Sequence, residues 1–383
     1  MTSRERVLAA MAHREPDRTP VFERIIKSPH ADALLGRPCA ATSFEYRMER
    51  LADGAFTDLC LAEARDRVDL AELLGFDMIA LGPNGLPPAT RPRRLPDGSW
   101  QTGDAIARQS ESGWVQYVRA DRPVERTDEE LAAEMEAHLA MPHVAASPDP
   151  EEYVVFREAL RLMRERGLDL AVYCSAYAMP VCTLPRHQLE WLHTRPALMR
   201  RLYEHYTDQV IDRLRTCAEL GADIVGLGGD LANDQGPFIS PAHYREFVLP
   251  GIQRQAEAVH GLGRWATNTS DGNLWAVLDD FLLTSGVDGY GEIDYVAGMD
   301  LGTLKKRYGD RICFIGNLDI RFTLTRGTPE ECREHTVECL RKGWGSGGHI
   351  LMTSNVVHEG VILENYLACL EAYRDYFGIG SRQ

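Results

Sequence analysis

Eight short apolar runs alternate with helical patterns along this chain, and each run stops at small polar, acidic or amide residues. The clearest are Ala222-Asp223-Ile224-Val225-Gly226-Leu227-Gly228-Gly229-Asp230 and Gly263-Arg264-Trp265-Ala266-Thr267-Asn268-Thr269-Ser270-Asp271-Gly272-Asn273. An apolar run of about five residues, flanked by helices and ending in glycine and acid, reads as a buried parallel strand whose C-terminal end opens toward a ligand. The other six runs cover 19–23, 75–81, 168–174, 287–291, 312–316 and 349–352. Eightfold alternation predicts an α/β fold, a closed (β/α)8 barrel of the TIM type, whose strand ends converge on one face around a single pocket. An open doubly wound sheet is the competitor, but it carries a Gly-x-Gly-x-x-Gly turn after its first strand. No such turn is present, and neither a Gly-x-Ser-x-Gly elbow nor a His-Glu-x-x-His helix occurs.

Helical periodicity covers 5–13, 44–74, 128–139, 149–166, 189–220, 241–260 and 364–376, the first being an N-terminal extension ahead of strand one. Between 91 and 122 the pattern turns polar and alternating around Pro96-Asp97-Gly98 and Glu111-Ser112-Gly113, which predicts a β-hairpin insertion. A barrel with insertions uses 383 residues as one unit, so 1–383 reads as a single domain.

The formal net charge of −15 argues against nucleic acid or an anionic membrane as the main partner, while leaving room for a local arginine to bind an anion. No stretch approaches the roughly 18 to 20 apolar residues of a membrane span. Nine scattered cysteines without a Cys-x-x-Cys pair suit reduced thiols, with Cys313 as a small core residue, and a cytoplasmic protein is expected.

Further stretches stand in order along the chain: Glu5-Arg6-Val7-Leu8-Ala9-Ala10, Glu15-Pro16-Asp17-Arg18-Thr19-Pro20-Val21, Ser240-Pro241-Ala242-His243-Tyr244-Arg245-Glu246-Phe247 with Pro250, and Ala297-Gly298-Met299-Asp300-Leu301. Lys306-Arg307-Tyr308-Gly309, Gly316-Asn317-Leu318-Asp319, Gly347-Gly348-His349-Ile350-Leu351 and Glu364-Asn365 follow. Together, over nearly the whole chain, these resemble the uroporphyrinogen decarboxylase superfamily, which also contains zinc-dependent methyltransferases acting on corrinoid proteins. The departures are as informative. Where the methyltransferases hold zinc with His-x-Cys-Gly and a later Cys, this chain has Thr269-Ser270-Asp271-Gly272 and Asn355, oxygen and amide groups that suit zinc poorly. Where the decarboxylases have an Arg-Gln-Ala-Gly-Arg stretch and an Asp after strand two, it has Glu23-Arg24-Ile25-Ile26-Lys27 and Gly82-Pro83-Asn84.

The resemblance implies a carbon–carbon lyase acting on a small carboxylated molecule other than uroporphyrinogen; a corrinoid-linked methyltransferase with an altered metal site and a non-catalytic binding barrel are the alternatives. Cofactor-free decarboxylation needs cations for the carboxylates, an acid for the electron-rich carbon and a dry pocket. Arg24, Lys27 and His30 are the candidate cations, and Asp230, Asp271, Glu292 and His358 the candidate acid–base groups. Tyr177, Asn268, Asp294 and Asn355 are further candidate substrate contacts, with His187 nearby in sequence to Tyr177. No cofactor is expected, although Asp230, Asp271 and Glu292 could take a hard divalent ion with oxygen ligands. Asp230 and Arg24 are expected to face each other across the pocket, and a homodimer is left open.

Overall fold

A computed structural model of the chain describes residues 1–84, 89–110, 115–119, 126–141, 150–175 and 181–380. Its barrel wall contains seven parallel strands, and short antiparallel strands interrupt them in sequence. Strand β1 (Met78–Leu81) is followed by the insertion strands β2 (Arg93–Arg94), β3 (Trp100–Thr102), β4 (Ala105–Gln109) and β5 (Val115–Arg119). Then come β6 (Ala171–Ser175), β7 (Ile224–Gly228), a hairpin of β8 (Ala232–Asn233) and β9 (Gly236–Pro237), β10 (Trp265–Thr269), β11 (Gly289–Gly291), β12 (Cys313–Ile315) and β13 (His349–Ile350). The wall runs β1-β6-β7-β10-β11-β12-β13, while β2 to β5 form a separate antiparallel sheet as the hairpin signals predict. The expected turn at Glu111-Ser112-Gly113 lies outside the described residues.

Strand one, expected over 19–23, shrinks to a single paired residue. Val21 bridges Leu351 in parallel, Phe22 N donates to Leu351 O at 3.0 Å, and on the other side Asp77 N donates to Val21 O at 2.8 Å. These bonds close the ring between the last strand and β1. Pro20 shortens the ladder because it has no N–H to donate.

Inward residues of successive strands meet in one apolar cluster containing Phe22, Met78, Tyr173, Ile224, Ile315 and Met352. Tyr173 fills the axis so closely that a Cβ on Gly226 would stand 1.9 Å from its hydroxyl, so only glycine fits there. The helix Ser3–Met11 plugs the N-terminal end with Val7, Ala10 and Met11. Beneath it, fully buried Asp77 accepts from Arg6 Nη1 at 2.8 Å, from Arg18 Nη1 and Nη2 at 2.6 and 2.7 Å, and from Val21 N at 3.0 Å. Cys313 is buried in the same cluster, as expected, and the eight described cysteines are free thiols.

The outer helices are more broken than periodicity suggests. The pattern over 44–74 divides into Phe44–Ala52 and Phe56–Leu74, with Gly54 at φ 75° between them. The pattern over 189–220 divides into Arg186–Thr194 and Pro196–Leu220, because proline starts a helix readily but cannot continue one. Residues 241–261 include a π-helical turn at Tyr244–Val248, where Pro250 offers no N–H to the carbonyl of Glu246. A short helix, His30–Leu35, follows strand one. No described helix is long and apolar enough to cross a membrane.

Candidate active site

Period-2 alternation carries the inward direction from Phe22 to Arg24, whose side chain is 11% exposed and whose Nη2 is bonded to Glu292 Oε1. Glu292 reaches that position through its backbone. Tyr290 faces the outer layer, where its ring meets Phe281 at 5.3 Å, so Gly291 faces in and residue 292 should face out. A left-handed conformation at Glu292, φ 63°, breaks the alternation and returns the carboxylate to Arg24, while Ile293 stays in the outer core. For a non-glycine residue such a conformation costs on the order of 1–3 kcal/mol, which makes it a marker of a functional constraint.

Asp230 and Asp271 come together because their loops are locked to each other. Leu231 N donates to Ser270 Oγ at 3.0 Å and Asn273 N to Asn233 O at 2.8 Å, tying the segment after β10 to the β8–β9 hairpin. Gly228 is required where the chain turns toward Asp230, since a Cβ there would lie 2.1 Å from Asn268 Oδ1. Asp230 itself is exposed, whereas Asp271 is partly buried and accepts from Asn355 Nδ2 at 3.1 Å.

Around the buried Glu292, then, stand Arg24, Asp271 and Asp230. Burial pushes the Glu292 carboxyl up to about 7; Arg24 pulls it down, and the charges of Asp271 and Asp230 push it further up. Burial likewise pushes Asp271 up to about 6, helped by Asp230 and Asp294 and opposed by the Asn355 hydrogen bond. Carboxyl groups poised near neutrality can carry protons at physiological pH.

Asp294 is a loop brace: its Oδ1 accepts from Val296 N and Ala297 N at 3.0 and 3.2 Å, and its Oδ2 lies 3.3 Å from Arg321 Nη1. Arg321 also pairs with Asp234 on the β8–β9 hairpin, so one guanidinium ties the loops after β7, β11 and β12. Sequence reasoning missed Arg321, although its place just past the apolar run 312–316 was a signal. It also left unused Glu23 and Thr353, which bond to each other at 2.7 Å behind Arg24.

Lys27, His30 and His358 form a second group with Glu359. Burial lowers Lys27, with Glu359 opposing, and burial lowers His358, assisted by Lys27 and His30. His358 Nδ1 accepts the Gly360 N–H at 3.0 Å, and the buried His30 Nε2 has no hydrogen-bond partner among the described residues. Asn268, expected to touch substrate, points into the outer layer instead: its Nδ2 donates to Phe281 O at 3.1 Å, because alternation in β10 directs Thr267 and Thr269 inward. His187 packs edge-on against Trp191 at 4.8 Å on an outer helix. Tyr177 lies outside the described residues.

The donor set does not fit a thiolate-type zinc site. Thr269, Asp271 and Asn355 offer oxygen and amide groups, and among the described residues no three His, Cys, Asp or Glu side chains converge closely enough to hold a metal ion. Asp230, Asp271 and Glu292 therefore share an electrostatic field without sharing a coordination point.

Residues 148–376 match the family model described as uroporphyrinogen decarboxylase (URO-D). The chain is 26% identical over 275 residues to the uroporphyrinogen decarboxylase of Alkalilimnicola ehrlichii, covering 67% of this chain and 70% of that protein. It is 29% identical over 191 residues to the uroporphyrinogen decarboxylase of Coxiella burnetii, spanning 48% of this chain and about half, 49%, of that relative. A solved structure, a methyltransferase from Methanosarcina mazei, superposes with a TM-score of 0.69 over 98% of this chain and 99% of its own, at 19% identity. That likeness is one of fold.

Proposed function

Because the chain belongs to the uroporphyrinogen decarboxylase family, we propose that it is a carbon–carbon lyase releasing carbon dioxide from a small carboxylated molecule other than uroporphyrinogen. The observation that carries this reading is the buried Arg24–Glu292 pair, set at the strand ends beside Asp271 and Asp230. In the reaction, the scissile carboxylate takes the place of Glu292 on Arg24. The displaced Glu292 takes up a proton from solvent and becomes neutral; carbon dioxide leaves with the carbon–carbon bond broken, the electron pair stays on the substrate carbon, and the Glu292 proton moves to that carbon. Atoms and charge balance, with Glu292 left as the carboxylate that re-pairs with Arg24. Asp271, held by Asn355, keeps negative charge beside Glu292 and favours its protonated form.

A substrate different from uroporphyrinogen is supported by Gly82-Pro83-Asn84 at the position where the decarboxylases carry an aspartate. Methyl transfer through a corrinoid protein is the competing reading, and Thr269, Asp271 and Asn355 at the zinc-ligand positions weigh against it.

The test is a panel of small mono- to tricarboxylates assayed for carbon dioxide release by the purified protein, alongside a methyl-transfer assay with a corrinoid protein. Carbon dioxide release that Glu292→Gln abolishes supports the lyase; methyl transfer without it overturns this reading. Its kcat/KM should fall as pH rises through about 7, where Glu292 loses the proton it must donate. Because the charge of Asp271 holds the Glu292 carboxyl up, Asp271→Asn should move this fall to lower pH.

A further inference from the structure

Glu23 lies on the outer side of the barrel wall, one residue before Arg24, and is 5% exposed. Its Oε1 accepts the Arg24 N–H at 3.1 Å. Its Oε2 lies 2.7 Å from Thr353 Oγ1 and 3.4 Å from Thr353 N. The fully buried Thr353 hydroxyl also contacts the carbonyl oxygen of Asn355. A hydroxyl has one proton, yet this one touches two oxygens. The Asn355 carbonyl can only accept, so the Thr353 proton belongs there, and the contact with Glu23 Oε2 is a hydrogen bond only if Glu23 supplies the proton. An ionised Glu23 would leave two acceptors facing each other in a buried place, at the cost of an unsatisfied polar pair.

We propose that Glu23 is a neutral carboxylic acid in the folded protein and acts as a positioning residue: its proton is the first link of a chain through Thr353 to Asn355, whose amide holds Asp271. The surroundings agree. Burial pushes Glu23 up to about 8 against the hydrogen bonds from Thr353 and Arg24 N and the charge of Arg24. From the helix Phe56–Leu74, Arg67 lines the cleft beside Glu23, and its guanidinium is bound to Glu63 at 2.8 and 3.1 Å. From the closing helix Leu363–Phe377, Tyr366 faces Glu23 with its phenol held well above its ordinary range by burial, hence uncharged. The Arg24 guanidinium reaches inward to Glu292.

The folded state thus retains a proton that the unfolded chain releases in the ordinary carboxyl range. The stability this contributes is complete below that range and is lost as pH rises through about 8.

The protonation does not depend on which reaction the site runs, so the test uses no turnover and fails separately from the lyase reading. Infrared spectra of the whole protein at pH 6.5 should contain a protonated-carboxyl stretch that is missing in Glu23→Gln. The Asn355 side-chain amide resonances should be unchanged in Glu23→Gln, whose amide still donates to Thr353, and shifted in Glu23→Ala. In the unsubstituted protein they should move as pH passes about 8, and in Glu23→Gln they should not. If Glu23→Ala does not fold, the pH series on the other two proteins carries the same comparison. No Glu23-dependent carboxyl band, or Asn355 resonances that ignore pH in the unsubstituted protein, would overturn the proposal.

Discussion

Arg24→Ala is expected to lower kcat/KM by roughly 10²-fold or more, the scale seen when a preorganised charge at a reacting group is removed. The loss has two physical parts. The substrate carboxylate loses the inward-facing cation at the end of strand one, and Glu292 loses the charge that pulls its carboxyl down, so it becomes neutral in the free protein as well. The exchange of partners that times proton transfer then disappears. Arg24→Lys retains the charge but not the planar fork, so its defect should fall mainly on KM. Because Arg24 and Glu292 act as a unit, Arg24→Ala combined with Glu292→Gln should cost little more than Glu292→Gln alone. Steady-state kinetics on the substrate found by the carboxylate panel checks this, and near-unsubstituted kinetics in Arg24→Ala would remove the residue from the mechanism. Glu292 and Arg24 are 268 residues apart in sequence, so the result also tests whether the barrel brings them together.

The second large effect is structural. Asp77→Ala should destabilise the protein by about 3–5 kcal/mol, the usual cost of removing one partner from a buried ion-pair network. Asp77 neutralises Arg6, which is nearly as buried as itself, and holds Arg18 with two bonds. It also accepts from Val21 N, beside the bond from Asp77 N to Val21 O that closes the barrel. Truncation leaves Arg6 with Asp17 as its carboxylate partner, takes both Asp77 bonds from Arg18, and loosens the seam at the same place. Arg4, by contrast, pairs with Asp223 from a side chain 42% exposed, and Arg4→Ala should cost about 1 kcal/mol or less. Urea unfolding of the two variants separates the predictions; equal midpoints would show that the Asp77 network does not support closure.

The sequence by itself determined the layers of this protein. Buried parallel strands need continuous apolar runs, and a barrel gathers the residues just past its strands at one mouth, so Arg24, Asp230, Asp271 and Glu292 were legible as strand-end residues. Gly54 and Pro196 broke two helices by local chemistry that the periodicity reading overran. Only the tertiary structure decided partners and directions. Nothing local to Glu292 announces φ 63°, which turns its carboxylate to Arg24, and nothing local to Asn268 tells that its amide serves the carbonyl of Phe281. Glu23 looked like the plain end of a strand until closure set it against Thr353, 330 residues away. Periodicity is a property of a short segment and survives in one chain read alone. Pairing across a barrel is a property of how the ends meet, and burial, which fixes the protonation of Glu23, Asp271 and Glu292, exists only once they have met.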